Sequence, residues 1–197
     1  MTGMHTWPLL VASHDLLREA VASIPADGRR LPTPASEWNV VQVAQHSAGD
    51  QLAYASALTG GPGPTEDPFA PSAGWDGDLA VLLDIALKTS ADAFATLDPA
   101  RKAVPVPLPP FEVGAATAAG AAALDAAIHA WDIAAATGQR SPLTDELARQ
   151  LAPAARELAE PLRGFAFAPA IEPAPGAGDA AALLNYLGRD ADWRPTT

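Results

Sequence analysis

The stretch from residue 114 to residue 137 constrains the fold of this chain most strongly, because more than half of it is alanine. Alanine has the highest helix propensity of all residues, and its small side chain lets helices approach one another closely. Val and Ile are sparse and scattered elsewhere, so nothing in the sequence indicates a large sheet. The sequence therefore predicts an all-α protein.

Hydrophobic spacing and turn residues predict where the helices begin and end. Four helices are expected at residues 7–24, from the N-cap Asn39 to the Gly/Pro run at 60–64, at 78–97, and at 114–137 before Gly138. A fifth helix is expected at 142–162, with Ser141 or Thr144 near its cap, and a short one at 179–187. The alternating Val and Pro of residues 103–110 favour extended, polyproline-like chain rather than sheet.

These elements predict a four-helix bundle with extra short helices and a Pro/Gly-rich tail. No internal repeat and no sharp change of composition divides the chain. We therefore expect one domain over residues 1–197, with its core at about 7–162 and its tail at 163–197.

Charge and composition exclude several classes of function. The net charge of −11 would repel a phosphate backbone or an anionic membrane surface, so neither nucleic acid nor membrane is expected as a partner. The absence of cysteine removes disulfides, cysteine nucleophiles and thiolate metal ligands. The first residues lack the basic start and apolar run of a signal peptide, which favours a cytoplasmic protein.

The four histidines are His5, His14, His46 and His129. We expect His5 and His14 to be solvated, since one lies near the start of the chain and the other has polar neighbours. His129 follows Asp125 by four residues, so both side chains leave the same face of a helix, one turn apart. That spacing suits a shared metal ion, but a simple helical Asp–His salt bridge satisfies it equally.

His46 lies on the apolar side of the second predicted helix, where a lone histidine is often only a satisfied core residue. Facing helices of a bundle can also build a metal site from inward side chains. Two His and one Asp from two helices would give three protein ligands and leave a position open for water or substrate. Such a set accommodates zinc first, and also nickel, iron or manganese.

Three segments together resemble the DinB/YfiT-like metalloprotein superfamily, and within it the branch of the mycothiol-dependent maleylpyruvate isomerase amino-terminal domain. Residues 33–46 read TPASEWNVVQVAQH, similar to a Thr-Pro-x-x-x-Trp-x-Val segment that leads to a histidine. Residues 125–132 read DAAIHAWD, similar to an acid-x-x-x-His-x-Trp-Asp segment, and Ala-Thr-Gly follows at 136–138. In the tail, residues 167–169 and 187–190 resemble the ending of stand-alone members.

The resemblance implies a four-helix bundle that holds zinc or a similar divalent ion with His46, Asp125 and His129. It also implies that the metal activates a low-molecular-weight thiol, mycothiol or one like it, which attacks an electrophilic substrate. Asp125 stands where the isomerase carries Glu. Only about 35 residues follow position 162, too few for the isomerase's carboxy-terminal domain, so its substrate is not carried over.

For the other residues of these motifs the sequence gives less specific predictions. Trp131 should be a packing anchor that points away from the metal, and Trp38 should pack at the entrance of the second helix. Asp132 is expected to pair with an arginine or to cap a loop. Tyr54, two turns beyond His46, is a weak catalytic candidate whose hydroxyl would reach bound substrate, although it equally suits the core.

The leading hypothesis is thus a metal-dependent thiol transferase or isomerase acting on a small molecule. One alternative is a secondary-metabolism enzyme on the same scaffold that catalyses cyclisation, isomerisation or hydrolysis without a thiol. Another is a metal- or ligand-binding protein without turnover. A homodimer is compatible with such bundles, and the abundance of Ala, Pro and Arg over Lys is typical of an actinobacterial genome.

Overall fold

The computed structural model describes residues 4–35 and 37–195. Ser36, which falls inside the segment at 33–46, and the last two residues of the predicted tail lie outside the described residues. Within the described part six α-helices form: α1 Pro8–Ala22, α2 Val40–Thr59, α3 Leu79–Ala95, α4 Ala115–Thr137, α5 Asp145–Leu158 and α6 Asp179–Tyr186. The predicted all-α class is confirmed.

Helices α1 to α4 form the bundle. α1 packs along α4, α2 packs along α3, and the two pairs meet where α2 contacts α4 and α1 contacts α3. α5 lies on the outer side of α4, and α6 packs on α5. In the described residues no helix is both long enough and apolar enough to cross a bilayer.

α4 is buried on nearly all sides, and its alanines explain how the other helices can surround it. α1, α2 and α5 all contact it. A Cβ atom added at Gly120 would come within 2.9 Å of the Ala154 Cβ on α5, so this approach leaves no room for a larger side chain. Asp125 and His129 on this helix are therefore held at the centre of the molecule.

α2 and α4 have the helix caps that the sequence predicts. The Asn39 side chain accepts a hydrogen bond from the Gln42 N–H, and the Gln42 side chain accepts one from the Asn39 N–H, which completes a capping box. Gly60 and Gly138 end the two helices in the left-handed conformation that favours glycine. α2 therefore begins at a fixed point, six residues before His46.

Two predicted elements differ in the structure. Residues 103–110 are not merely extended, since Val104–Pro105 (β1) pairs antiparallel with Glu112–Val113 (β2). The pairing buries Val104 and Val113, which face each other across the two strands. The helix expected at 142–162 begins only at Asp145, after the Thr144 cap, and ends at Leu158, before a separate 3-10 turn at Glu160–Leu162. Pro161 explains the break, because it cannot donate the next helical hydrogen bond.

Candidate metal centre

The structure brings together the three side chains that the sequence singles out. His46 projects from α2, and Asp125 and His129 project from α4, so that one potential ligand atom of each lies within 4.8 Å of the others. The Asp125 Oδ1 atom is 3.3 Å from His129 Nε2 and 3.8 Å from His46 Nε2. Both imidazoles are buried. The α4 pair is therefore more than a surface salt bridge, since a histidine from another helix completes the cluster.

The donor set fits a divalent ion. Metal–nitrogen and metal–oxygen bonds of about 2.0–2.2 Å in a tetrahedral arrangement place neighbouring ligand atoms about 3.3 Å apart. The two distances to the Asp125 carboxylate are close to that separation. Two imidazoles and a carboxylate also match the usual ligands of a catalytic zinc, with one position left for water or substrate.

A neighbouring oxygen fixes the orientation of each imidazole. The His46 Nδ1–H donates to the Pro68 carbonyl oxygen at 2.8 Å, and the His129 Nδ1–H donates to Asp132 Oδ2 at 2.9 Å. Each ring therefore turns Nε2, the atom with a free lone pair in this tautomer, toward the centre of the cluster. Such outer hydrogen bonds are what orient histidine ligands at metal sites.

Asp132 and Arg189 support His129 from behind. The Arg189 guanidinium makes a bidentate pair with the fully buried Asp132 carboxylate, at 2.9 Å from Nε to Oδ1 and 2.9 Å from Nη2 to Oδ2. Burial alone would raise the pKa of Asp132, but the charges and hydrogen bonds of Arg189 and His129 together outweigh it and lower that pKa to about 2. The predicted pairing of Asp132 with an arginine is confirmed, and it ties the segment after α6 to the site.

The Asp125 carboxylate is held from α2. Its Oδ2 atom accepts hydrogen bonds from the Ser47 hydroxyl at 2.7 Å and from the Gln51 Nε2–H at 3.1 Å. Oδ1 is thereby left to face the two histidines. Sequence reasoning missed both donors, although their spacing from His46 on one helix places them on adjoining faces.

The Gln51 amide joins all four bundle helices. Its oxygen accepts hydrogen bonds from His14 Nε2–H of α1 at 2.9 Å and from the Ser90 hydroxyl of α3 at 2.8 Å. Its nitrogen donates to the Ala122 carbonyl of α4 at 2.9 Å as well as to Asp125. A buried amide with all these groups satisfied permits only one arrangement of the four helices.

The prediction that His14 is solvated is wrong. Its side chain is 2% exposed and packs between the helices, with its ring donating to Gln51. Burial lowers the pKa of His14, against the opposite effect of this hydrogen bond. His5 is half-buried, and its backbone N–H donates to the Ala95 carbonyl at 2.8 Å.

Asp50 is a second carboxyl at the cluster, and sequence reasoning missed it. It lies one turn beyond His46 on α2, with its Oδ2 atom 3.6 Å from His46 Nε2. The i,i+4 spacing that drew attention to Asp125 and His129 is repeated here, so the same signal was available. Burial, reinforced by the charge of Asp125, raises the pKa of Asp50 well above its usual range.

The pKa values of the two histidines in the cluster shift in opposite directions. Burial is the main cause that lowers the pKa of His46 to about 4. Burial acts in the same direction on His129, but the hydrogen bond and charge of Asp125, followed by those of Asp132, raise its pKa to about 9. The hydrogen bond and charge of His129 lower the pKa of Asp125 against the effect of burial. Without a metal, His129 thus holds the proton that a cation would displace.

A cavity of about 550 Å³ opens onto the cluster, a size typical of small-molecule sites. Tyr54 lines it and also packs in the core, and burial keeps the pKa of its hydroxyl above the ordinary value, so the group stays an O–H donor. Trp38 does more than pack at the start of α2, because its ring lies 4.6 Å from that of His46 and borders the cavity. Trp131 is a buried packing residue, as expected.

The fold and the cluster define a helical bundle with an internal His2Asp site. A family model described as the mycothiol maleylpyruvate isomerase N-terminal domain matches residues 10–134, a range that includes His46, Asp125 and His129. Two uncharacterized proteins of Mycobacterium tuberculosis, from strains CDC 1551 / Oshkosh and ATCC 25618 / H37Rv, are each 33% identical over 151 residues, which is 76% of this chain and 76% of each relative. No solved structure matches the chain. The chain belongs to the mycothiol maleylpyruvate isomerase N-terminal domain family.

Replacing Gln51 by methionine, which has a similar size but no amide, should destabilise the protein by about 2–4 kcal/mol, because several buried polar groups lose their partner. Urea unfolding followed by circular dichroism measures this. Gln150→Met is the matched control, since Gln150 is exposed on α5 and should change stability by less than about 0.5 kcal/mol. Equal effects of the two substitutions would refute the role of the Gln51 amide.

The metal-free protein should lose stability as the pH rises from about 6.5 to about 9. In that window folded His129, with its pKa raised to about 9, keeps a proton that an unfolded histidine has released. The raised pKa of Asp50 acts with the same sign. The loss approaches about 1.4 kcal/mol per pH unit for each such proton.

Urea titrations at a series of pH values measure this slope. His129→Gln should flatten it, whereas His5→Gln should leave it unchanged. If stability falls with pH as steeply in His129→Gln as in the wild type, the proton that the folded protein retains is held by another group.

Proposed function

We propose that this protein is a divalent-metal-dependent enzyme that uses a mycothiol-type thiol in a transferase or isomerase reaction. His46, Asp125 and His129 are the proposed ligands, with zinc favoured and nickel, iron or manganese compatible with the same set. The observation that carries the proposal is the pair of hydrogen bonds from His46 and His129 Nδ1, which turn both Nε2 atoms toward Asp125. In the neutral rings this alignment presents both Nε2 lone pairs and the Asp125 carboxylate to one point, as a metal site requires.

The thiol must come from outside the chain, because the sequence contains no cysteine. The family's description names mycothiol, and the open cavity provides space beside the cluster for a small molecule. A divalent ion bound here would lower the pKa of a thiol so that the nucleophilic thiolate forms near neutral pH.

Two further side chains have roles in this proposal. Asp50, with its raised pKa and its position beside His46, takes the thiol proton at its carboxylate. In an addition, the sulfur forms a bond to an electrophilic carbon, the π bond of that carbon breaks, and Asp50 returns the proton to the neighbouring carbon. In an isomerisation, Asp50 keeps the proton while the electron pair rests on the conjugated substrate oxygen; after rotation about the single bond the π bond re-forms, the carbon–sulfur bond breaks, and Asp50 returns the proton to the thiol. The Tyr54 O–H donates to a substrate oxygen that gains charge.

The cavity also distinguishes this proposal from a purely structural metal site. Structural zinc sites are closed by four protein ligands, whereas catalytic sites keep one position open. Here the three proposed ligands and Asp50 all line the cavity, which would give a small molecule access to a bound ion. A thiol-independent cyclase, isomerase or hydrolase would use the same open position, and the test below separates it from a thiol enzyme.

Cobalt(II) substitution tests the proposal, because this chain supplies no sulfur ligand of its own apart from two methionine thioethers. Adding mycothiol to the cobalt protein should produce a sulfur-to-cobalt charge-transfer band in the near ultraviolet. The same thiol with its sulfur methylated should produce none, because a thioether cannot form a thiolate. Absorption spectroscopy during the titration gives the affinity.

His129→Ala serves as the protein control, since it should not hold cobalt in this geometry and should show no band. If the absorption spectrum of the cobalt protein does not change when thiol is added at millimolar concentration, the thiol-dependent function is refuted. A change on adding substrate alone would then favour the thiol-independent alternative.

A further inference from the structure

Most of the side chains that line the cavity outside the cluster are apolar. α4 contributes Leu124 and Ile128, the turn after β1 contributes Leu108 and Pro109, and α5 contributes Leu158. An organic molecule in this space would exchange water for hydrocarbon over most of its surface. The apolar part of the cavity therefore favours an apolar group over an ionic one, which needs many polar partners.

Three aromatic side chains, here called the aromatic rim, border the cavity on the side of His46: Trp38, Phe69 and Phe165. The Phe69 ring lies 5.1 Å from the His46 ring and 4.9 Å from the Phe165 ring. Phe165 is 62% exposed, so a face of its ring is available for contact. The first of these contacts is edge-on and the second is tilted, and the exposed face of Phe165 can stack on a flat ligand.

The charges around the cavity disfavour an anionic ligand. Apart from the two histidines of the cluster, Arg189 is the sole basic side chain among the described residues that line it, and its guanidinium is already paired with Asp132. The acidic side chains are Glu37, Asp50 and Asp125. With both histidines neutral as ligands, a divalent ion would be balanced by Asp125 and by a thiolate whose proton has gone to Asp50, which leaves Glu37 uncompensated. A dicarboxylate would thus find no excess of positive charge.

From these three observations we infer that the cavity takes an uncharged, largely apolar molecule with a flat ring, and that it discriminates against carboxylates and other anions. The inference rests on the proposed function, in which this molecule is the electrophile that the thiol attacks. The aromatic rim would hold the ring of the molecule beside the open side of the metal ligands. Maleylpyruvate, a dianion, does not belong to this class.

A matched pair of dyes tests the inference on the full chain loaded with zinc. N-phenyl-1-naphthylamine is neutral, and 1-anilinonaphthalene-8-sulfonate has the same ring system with an added sulfonate. The neutral dye should bind at one per chain and at least about tenfold more tightly than the sulfonate, as measured by fluorescence titration. Equal or tighter binding of the sulfonate would overturn the inference.

Two variants and one control variant show where the dyes bind. Phe165→Ala should weaken the neutral dye about threefold to tenfold, whereas Ile85→Ala, an equally exposed apolar residue on α3, should not change it. Glu37→Gln should strengthen the sulfonate dye about twofold or more at low ionic strength and leave the neutral dye unaffected. Indifference of the neutral dye to Phe165→Ala would place it outside the cavity and overturn the proposal.

Metal content measured on the same samples keeps this inference distinct from the proposed function. Stoichiometric zinc with weak binding of the neutral dye would overturn the class of substrate alone. Failure of the protein to hold zinc would overturn the proposed function, and with it the assignment of the bound molecule as a substrate.

Discussion

The hydrogen bonds of the Gln51 amide are the interaction on which the rest of this structure depends. One side chain of α2 accepts from α1 and α3 and donates to α4, so the packing of the bundle and the orientation of Asp125 are fixed by the same group. In a low-dielectric interior these bonds are strong, and any one left unmade is costly. The positions of His46 and Asp125 on facing helices follow from this junction.

The second constraint is the chain of contacts from the tail to the ligand set. Arg189 holds Asp132, and Asp132 holds His129 in the tautomer that presents Nε2 to the cluster. The family match ends at residue 134, so this support comes from a part of the chain beyond the matched domain. Residues 165–168 and 187–189 of the same segment also line the cavity. The tail thus both orients a ligand and shapes the space that faces it.

Much of this architecture could be predicted from the sequence, because helix periodicity, caps and glycine stops are local signals. The spacing of Asp125 and His129 on one helix made them candidates, the inward position of His46 on a facing helix added a third ligand, and the family resemblance made the set specific. The surroundings could not be predicted in the same way. Whether His14 faces water or Gln51 depends on the rotation of α1 against α2, and Arg189 reaches Asp132 only through the tertiary path of the tail. Asp50 was accessible to the i,i+4 argument and was missed.

The central claim is that His46, Asp125 and His129 hold one divalent ion. Elemental mass spectrometry of the protein after incubation with zinc and gel filtration tests it most directly, with His129→Ala and His5→Ala measured in parallel. We expect about one ion per chain in the wild type and in His5→Ala, and loss of the ion in His129→Ala with the helical circular dichroism retained. Full metal content in His129→Ala, or none in the wild type, would contradict it.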